Sequence, residues 1–140
     1  MRNIAFDSSC LVKRDRKKTR GINSEDQDSI HIGTVFGACQ SSRENSCVVE
    51  NVVSDAKVSL SSNEEAFVGG IYGSCEGNCA IKKAIYTGDI KISGGGTGVA
   101  SGGIAGSCSN CTIEESENHG TMAVEGAGSG NVVSGGIVGV

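Results

Sequence analysis

Hydrophobic residues recur in this chain on two scales. Locally they alternate: Val58 and Leu60, Ile90 and Ile92, and Met122 and Val124 each stand two apart around one intervening residue. A period of two with one apolar face predicts a half-buried strand. At longer range one phrase returns four times, as IGTVFG at 32–37, VGGIYG at 68–73, SGGIAG at 101–106 and SGGIVG at 134–139, in steps of 36, 33 and 33 residues. Such a period predicts one supersecondary unit stacked on copies of itself.

The match between units runs well past the phrase. The segments 48–60, 80–92 and 112–124 align without gaps. They place Val49, Ile81 and Ile113 in one apolar column, and Val58, Ile90 and Met122 in a second. Leu60, Ile92 and Val124 make a third, and Val35, Ile71, Ile104 and Ile137, inside the phrase, a fourth. Ala56, Gly88 and Gly120 precede the alternating strand, where a tight turn favours a small residue. Each unit therefore reads as three short strands joined by turns, with the glycine phrase as one of them. Candidate segments are short, β-branched and broken by glycine, which disfavours helix.

The expected fold is all-β, a β-solenoid resembling a parallel β-helix, built from repeats of about 33 residues. Its expected divisions are a degraded basic first coil at 1–31, repeats at 32–67, 68–100 and 101–133, and the start of a fourth at 134–140. In the first coil Ile4-Ala5 can be laid on Ile104-Ala105, and Leu11-Val12 on Thr112-Ile113. The basic run then falls on the middle strand and adds about two residues. Because the chain opens and stops inside a repeat, it reads as a piece of a longer stack.

Composition supports a stack rather than a bulky core. The 140 residues include 22 glycines, no proline or tryptophan, three phenylalanines and two tyrosines. Small aliphatic ladders between neighbouring units need few large side chains. The net charge of −4 is unevenly spread. KRDRKKTR at 13–20 holds six of the twelve basic residues, whereas from Gly21 onward five basic residues face fourteen acidic ones. The acidic body excludes a nucleic-acid surface. The basic run reads as a solvated face, with a nuclear signal or polyanion strip as the rival. No apolar run reaches the length of a membrane helix, and the first ten residues lack the apolar stretch of a secretory signal.

GGIxG, then a short polar turn, a hydrophobic strand and an N-x-G-x-hydrophobic stretch, is clearest in GGIAGSCSNCTIEESENHGTMAVEG at 102–126, including Asn118 and Gly120. This order resembles the GLUG motif, covering nearly all of 32–140 and only faintly 1–31. The resemblance implies a repeat segment of a large bacterial or protist surface protein, adhesin-like chain or secreted protease, and it brings no catalytic residues. The cysteines depart from the usual motif.

Six of the seven cysteines sit at equivalent places. Cys39, Cys75 and Cys108 follow the phrase by two residues, and Cys47, Cys79 and Cys111 open the next strand. The partners face each other across one turn of variable length. One disulfide per unit is expected, Cys39–Cys47, Cys75–Cys79 and Cys108–Cys111, each stabilising by roughly 2–3 kcal/mol in the chain-entropy model. Three alternatives stay open: a four-sulfur zinc site from Cys75, Cys79, Cys108 and Cys111, buried reduced thiols, and a redox role for the CSNC turn. Vertical pairing between coils fits poorly, since three residues in a column leave one over. Cys10 aligns with the second cysteine column, beside Ser8 rather than a partner, and reads as a free thiol. Disulfides imply an extracellular or cell-surface location.

The remaining chemistry is sparse. Asn110-Cys111-Thr112 forms a glycosylation sequon in an exposed turn. His31 and His119 lack companions at ligand spacing and read as surface or turn residues. Glu114, Glu115 and Glu117 cluster in one unit only, where the paired carboxylates of a glycan-cleaving β-helix compete with plain surface charge. SGGGTG at 93–98 reads as a loop. The sequence calls for no catalytic residue, resident metal or cofactor. Its expected role is non-catalytic: a stiffened structural or adhesive segment meeting a glycan or protein ligand on one face, and further repeats or a neighbouring copy at its open ends. A metal or redox module and a glycan-cleaving enzyme are the alternatives.

Overall fold

A strand with one apolar face must pair at its edges and bury that face, and short repeated strands do both by stacking in parallel register. The computed structural model describes residues 2–6, 11–15, 29–41, 46–94, 98–126 and 130–140. The first unit supplies β1 (Arg2–Phe6), β2 (Leu11–Asp15) and β3 (Ile30–Ile32). The second supplies β4 (Phe36–Gln40), β5 (Cys47–Ser54), β6 (Lys57–Ser62) and β7 (Ala66–Gly69). The third holds β8 (Tyr72–Tyr86), β9 (Asp89–Gly94) and β10 (Gly98–Gly102). The last holds β11 (Ala105–Glu114), β12 (Glu117–Asn118), β13 (Thr121–Gly126) and β14 (Asn131–Gly135). Among the described residues there is no helix, hence none long and apolar enough to cross a membrane.

The strands form three parallel sheets, each taking strands from successive units. One runs β1-β5-β8-β11, with β4 and β12 also on β8; the others run β14-β10-β7-β3 and β13-β9-β6-β2. The sequence columns are in register. Val58 and Met122 flank Ile90, Leu60 and Val124 flank Ile92, and Val49 and Ile113 flank Ile81. In the middle units these residues are almost fully buried, and they join Ile30, Val52, Val68, Ile71 and Ile104 in one core. Ile113, Met122, Val124 and Ile137 are only partly covered.

The glycine phrase is a corner rather than a strand, which corrects the sequence reading. Val68 and Gly69 end β7, Gly70 and Ile71 turn the chain, and Tyr72 opens β8. At Gly70 and Gly103 the corners sit so close that a side chain cannot be added. A methyl group on Gly70 would strike the Gly103 carbonyl oxygen and the Tyr86 ring. The carbonyl of Ile71 accepts N–H bonds from both Val35 and Phe36, at 3.1 and 3.2 Å. Ile104 does the same for Ile71 and Tyr72, and Ile137 for Ile104 and Ala105. The third strand of each unit instead runs up to the corner and ends on the first residues of the phrase.

A second bend was not foreseen. Asn51, Lys83 and Glu115 all adopt left-handed backbone, at φ 56°, 52° and 48°. Each follows a residue of the paired column Glu50, Lys82 and Glu114, so the bend repeats at one place in the second, third and last units. Beyond it, Ser54, Tyr86 and Asn118 share a column. The Tyr86 hydroxyl donates to the Ala56 carbonyl at 2.8 Å. Asn118 accepts from the Gly120 N–H and donates to the Gly136 carbonyl, both at 3.0 Å. The N-x-G stretch thus ties a turn to the glycine corner of the next unit.

The first unit pairs differently from its sequence alignment. Ile4 lies on Val52, not in the phrase column, and Leu11-Val12 lie on Lys57-Val58, not in the column of Val48-Val49. Lys13 and Arg14 are on β2, opposite Ser59 and Leu60, while the rest of the basic run lies outside the described residues. The pairing offset is 48 at Ile4 and 46 at Leu11, and drops to 36 at Ile30. The extra length therefore enters between β2 and β3, and an alignment assuming two added residues slides the unit out of phase.

Candidate functional site

Both cysteine columns are strand positions on the sheet containing β8. Cys39 and Cys108 pair with Cys75, and Cys47 and Cys111 pair with Cys79, so six cysteines form three rungs of a ladder. In the third and last units the chain reverses over the few residues between the two cysteines. In the third unit Gly77, at φ 88°, makes that reversal. In the last unit Asn110 does so at φ 53°, one residue shorter, and the register shifts between Ser109 and Cys111.

The rungs are not alike. Cys39–Cys47 and Cys108–Cys111 are disulfides, with Cα–Cα distances of 6.5 and 5.7 Å. Cys75 and Cys79 are both buried free thiols, so the expected Cys75–Cys79 disulfide is not formed. They stand together in the two columns that hold the bonded pairs. Cys79 donates to the Glu76 carbonyl at 3.4 Å across the Gly77 turn. Burial, reinforced by the neighbouring Cys79, pushes the Cys75 thiol far above the ordinary thiol range.

The middle rung lies against the first. The sulfurs of Cys39, Cys47 and Cys79 are all within 4.8 Å of one another. With the first rung reduced, this is the donor set of a soft metal ion; with it oxidised, two of the three ligands are withdrawn. The zinc set of Cys75, Cys79, Cys108 and Cys111 has two of its members tied in a disulfide. Next to the thiols stands Tyr72, fully buried and stacked on Phe36 at 5.3 Å between ring centroids. Its hydroxyl has no hydrogen-bond partner among the described residues. Burial first, then Cys75 and Cys79, raise its pKa well beyond the usual phenol range.

The other residues singled out by sequence are dispersed. Cys10 lies outside the described residues. Asn110 is exposed on its turn, beside the Cys108–Cys111 disulfide. The acids do not converge: Glu114 pairs with Lys82 at 3.0 Å, Glu115 with Lys83 at 4.0 Å, and Glu117 with His119 at 2.7 Å. All are exposed surface pairs. Of SGGGTG, Ser93 and Gly94 end β9 and Gly98 opens β10; residues 95–97 are outside the described set.

His31 departs from the surface reading. Its ring is partly buried and stacked on Phe67 at 5.1 Å, with Nε2 3.0 Å from the Ser29 hydroxyl and Nδ1 buried without a partner. Burial lowers its pKa, opposed by Glu65. The pairing His31 on Phe67 is one repeat step, so the aromatic neighbour was discoverable once that strand was aligned. The stacking of Tyr72 on Phe36 follows from the same repeat step, whereas nothing in the sequence marked its hydroxyl as unpartnered.

No family model, curated protein or solved structure matches this chain.

Proposed function

We propose that the chain is a β-solenoid segment of GLUG type with a non-catalytic structural or adhesive role in a surface or secreted protein. The observation that carries this reading is the shared register of equivalent residues across three parallel sheets. Register of this kind builds a rigid spacer whose loops differ from unit to unit, leaving one edge to meet a glycan or protein ligand. The pairing of Glu114, Glu115 and Glu117 with basic neighbours argues against a cleaving carboxylate pair. Two disulfides favour an oxidising compartment.

Removing one whole unit tests the solenoid. Deleting 68–100 joins Phe67 to Ser101 in phase, and the shortened chain is expected to keep a cooperative, β-type circular dichroism transition. Deleting 68–90 breaks phase and should abolish it; equal behaviour of the two deletions refutes the stack. Labelling of intact cells with a membrane-impermeant amine reagent tests location, and protection of the chain until lysis overturns it. A soft-metal module is the second reading, favoured by the three sulfurs of Cys39, Cys47 and Cys79. Metal analysis of protein prepared under reducing conditions decides it, absence of stoichiometric zinc or copper removing it.

A further inference from the structure

We propose that the Cys39–Cys47 disulfide and the Cys75/Cys79 dithiol form one intramolecular exchange site, which passes a disulfide bond from one unit to the next. The inference does not depend on the surface role. It rests on three observations. A free thiol, Cys79, has its sulfur within 4.8 Å of both sulfurs of a formed disulfide. The register sets Cys75 on Cys39 and Cys79 on Cys47, so each thiol has a matching sulfur one strand away, about 4.8 Å along the stack. Cys75 and Cys79 hold the same two columns as the bonded pairs on either side, so Cys75 stands in the place of a resolving thiol.

The exchange balances without an outside oxidant. Cys79, as thiolate, attacks the Cys47 sulfur: the Cys47–Cys79 bond forms, the Cys39–Cys47 bond breaks, and Cys39 leaves with the electron pair and takes up the proton Cys79 gave up. Cys75, as thiolate, then attacks Cys79. The Cys75–Cys79 bond forms, the Cys47–Cys79 bond breaks, and Cys47 leaves as thiolate and is protonated by the proton from Cys75. One disulfide is reduced and one dithiol oxidised, a two-electron transfer.

Two disulfides therefore occupy three rungs, and the empty rung moves. The test uses the full chain carrying two disulfides. After incubation near pH 8.5, about the ordinary thiol pKa, free thiols are blocked with N-ethylmaleimide in denaturant. The remaining disulfides are then reduced, labelled with iodoacetamide and mapped by peptide mass. N-ethylmaleimide on Cys39 and Cys47, rising at least about tenfold over a sample quenched at once and matched by loss from Cys75 and Cys79, is expected. In Cys75→Ser the resolving thiol is gone, and a Cys47–Cys79 crosslinked peptide should accumulate. First label confined to Cys75 and Cys79 at every time point overturns the proposal. So does a folded Cys75→Ser chain without the crosslink; if that variant fails to fold, the label distribution of the native chain decides alone.

Discussion

Alanine at three equivalent glycines separates the stacked corner from a merely glycine-rich loop. Gly70, Gly103 and Gly136 hold the same place in three copies of the phrase. At Gly70 the new methyl would overlap the Gly103 carbonyl oxygen and two atoms of the Tyr86 ring; at Gly103 it would overlap the Asn118 amide and the Gly136 carbonyl oxygen. Neither obstacle at Gly70 is soft. One is backbone, and the other is a fully buried ring whose hydroxyl is tied to Ala56. At Gly136 the methyl meets nothing within 4 Å. Overpacking costs typically 1–3 kcal/mol, and with backbone on one side Gly70→Ala belongs at about 3 kcal/mol. For a chain of 140 residues this lowers the melting temperature by about 10 °C. Gly103→Ala should fall somewhat short of that, because the Asn118 amide can swing away at the loss of its two hydrogen bonds. Gly136→Ala should stay within about 0.5 kcal/mol. Thermal and urea unfolding followed by far-ultraviolet circular dichroism read all three. Equal effects at Gly70 and Gly136, or a Gly70→Ala chain as stable as the parent, would refute the close approach of the corners.

Tyr72→Phe removes a buried hydroxyl that lacks a partner, and a gain of about 1 kcal/mol is expected in urea unfolding; a loss would mean that the hydroxyl is engaged. Replacing Cys39 and Cys47 together with serine should cost about 2–3 kcal/mol under non-reducing conditions, with the difference from the parent disappearing under strong reductant. The burial that lowers the His31 pKa favours its neutral form in the fold, so the unfolded chain binds more protons just below the ordinary histidine pKa. Stability from this group is complete above about pH 6.5 and is lost as pH falls from there through the lower folded value. Imidazole chemical shifts across an acid titration should place His31 below the ordinary value, and His31→Gln should flatten that part of the stability profile.

The apolar columns were legible because two periods coincide: alternation within the strand picks out Val58 and Leu60, and the unit repeat picks out Ile90 and Ile92 on top of them. Both cysteine columns were legible for the same reason. Their oxidation states were not, because the turns at Gly77 and Asn110 differ by one residue and sequence alone does not say which pair is joined. The phrase misled because Gly-Gly-Ile between small residues satisfies a strand pattern as well as a corner; only the approach of Gly70 to Gly103 distinguishes them. The repeated bend at Asn51, Lys83 and Glu115 left almost no trace. Three chemically unlike residues share the left-handed conformation, and only asparagine is a usual occupant. The phase of the first unit was lost because the insertion before Ile30 is not marked by any repeat residue.

The doubly bonded carbonyls of Ile71, Ile104 and Ile137 all point toward the unit before them and accept N–H groups from it. Bonds along ordinary strands alternate in direction and largely cancel, but these three doubly accepting carbonyls all point the same way along the stack. The corner thus runs as a polar wire through the assembly, with its acceptors facing the first unit and its donors facing the last. The two ends are chemically distinct faces. A second copy that continued this run of bonds would have to join head to tail, and a head-to-tail contact presents a fresh identical end each time.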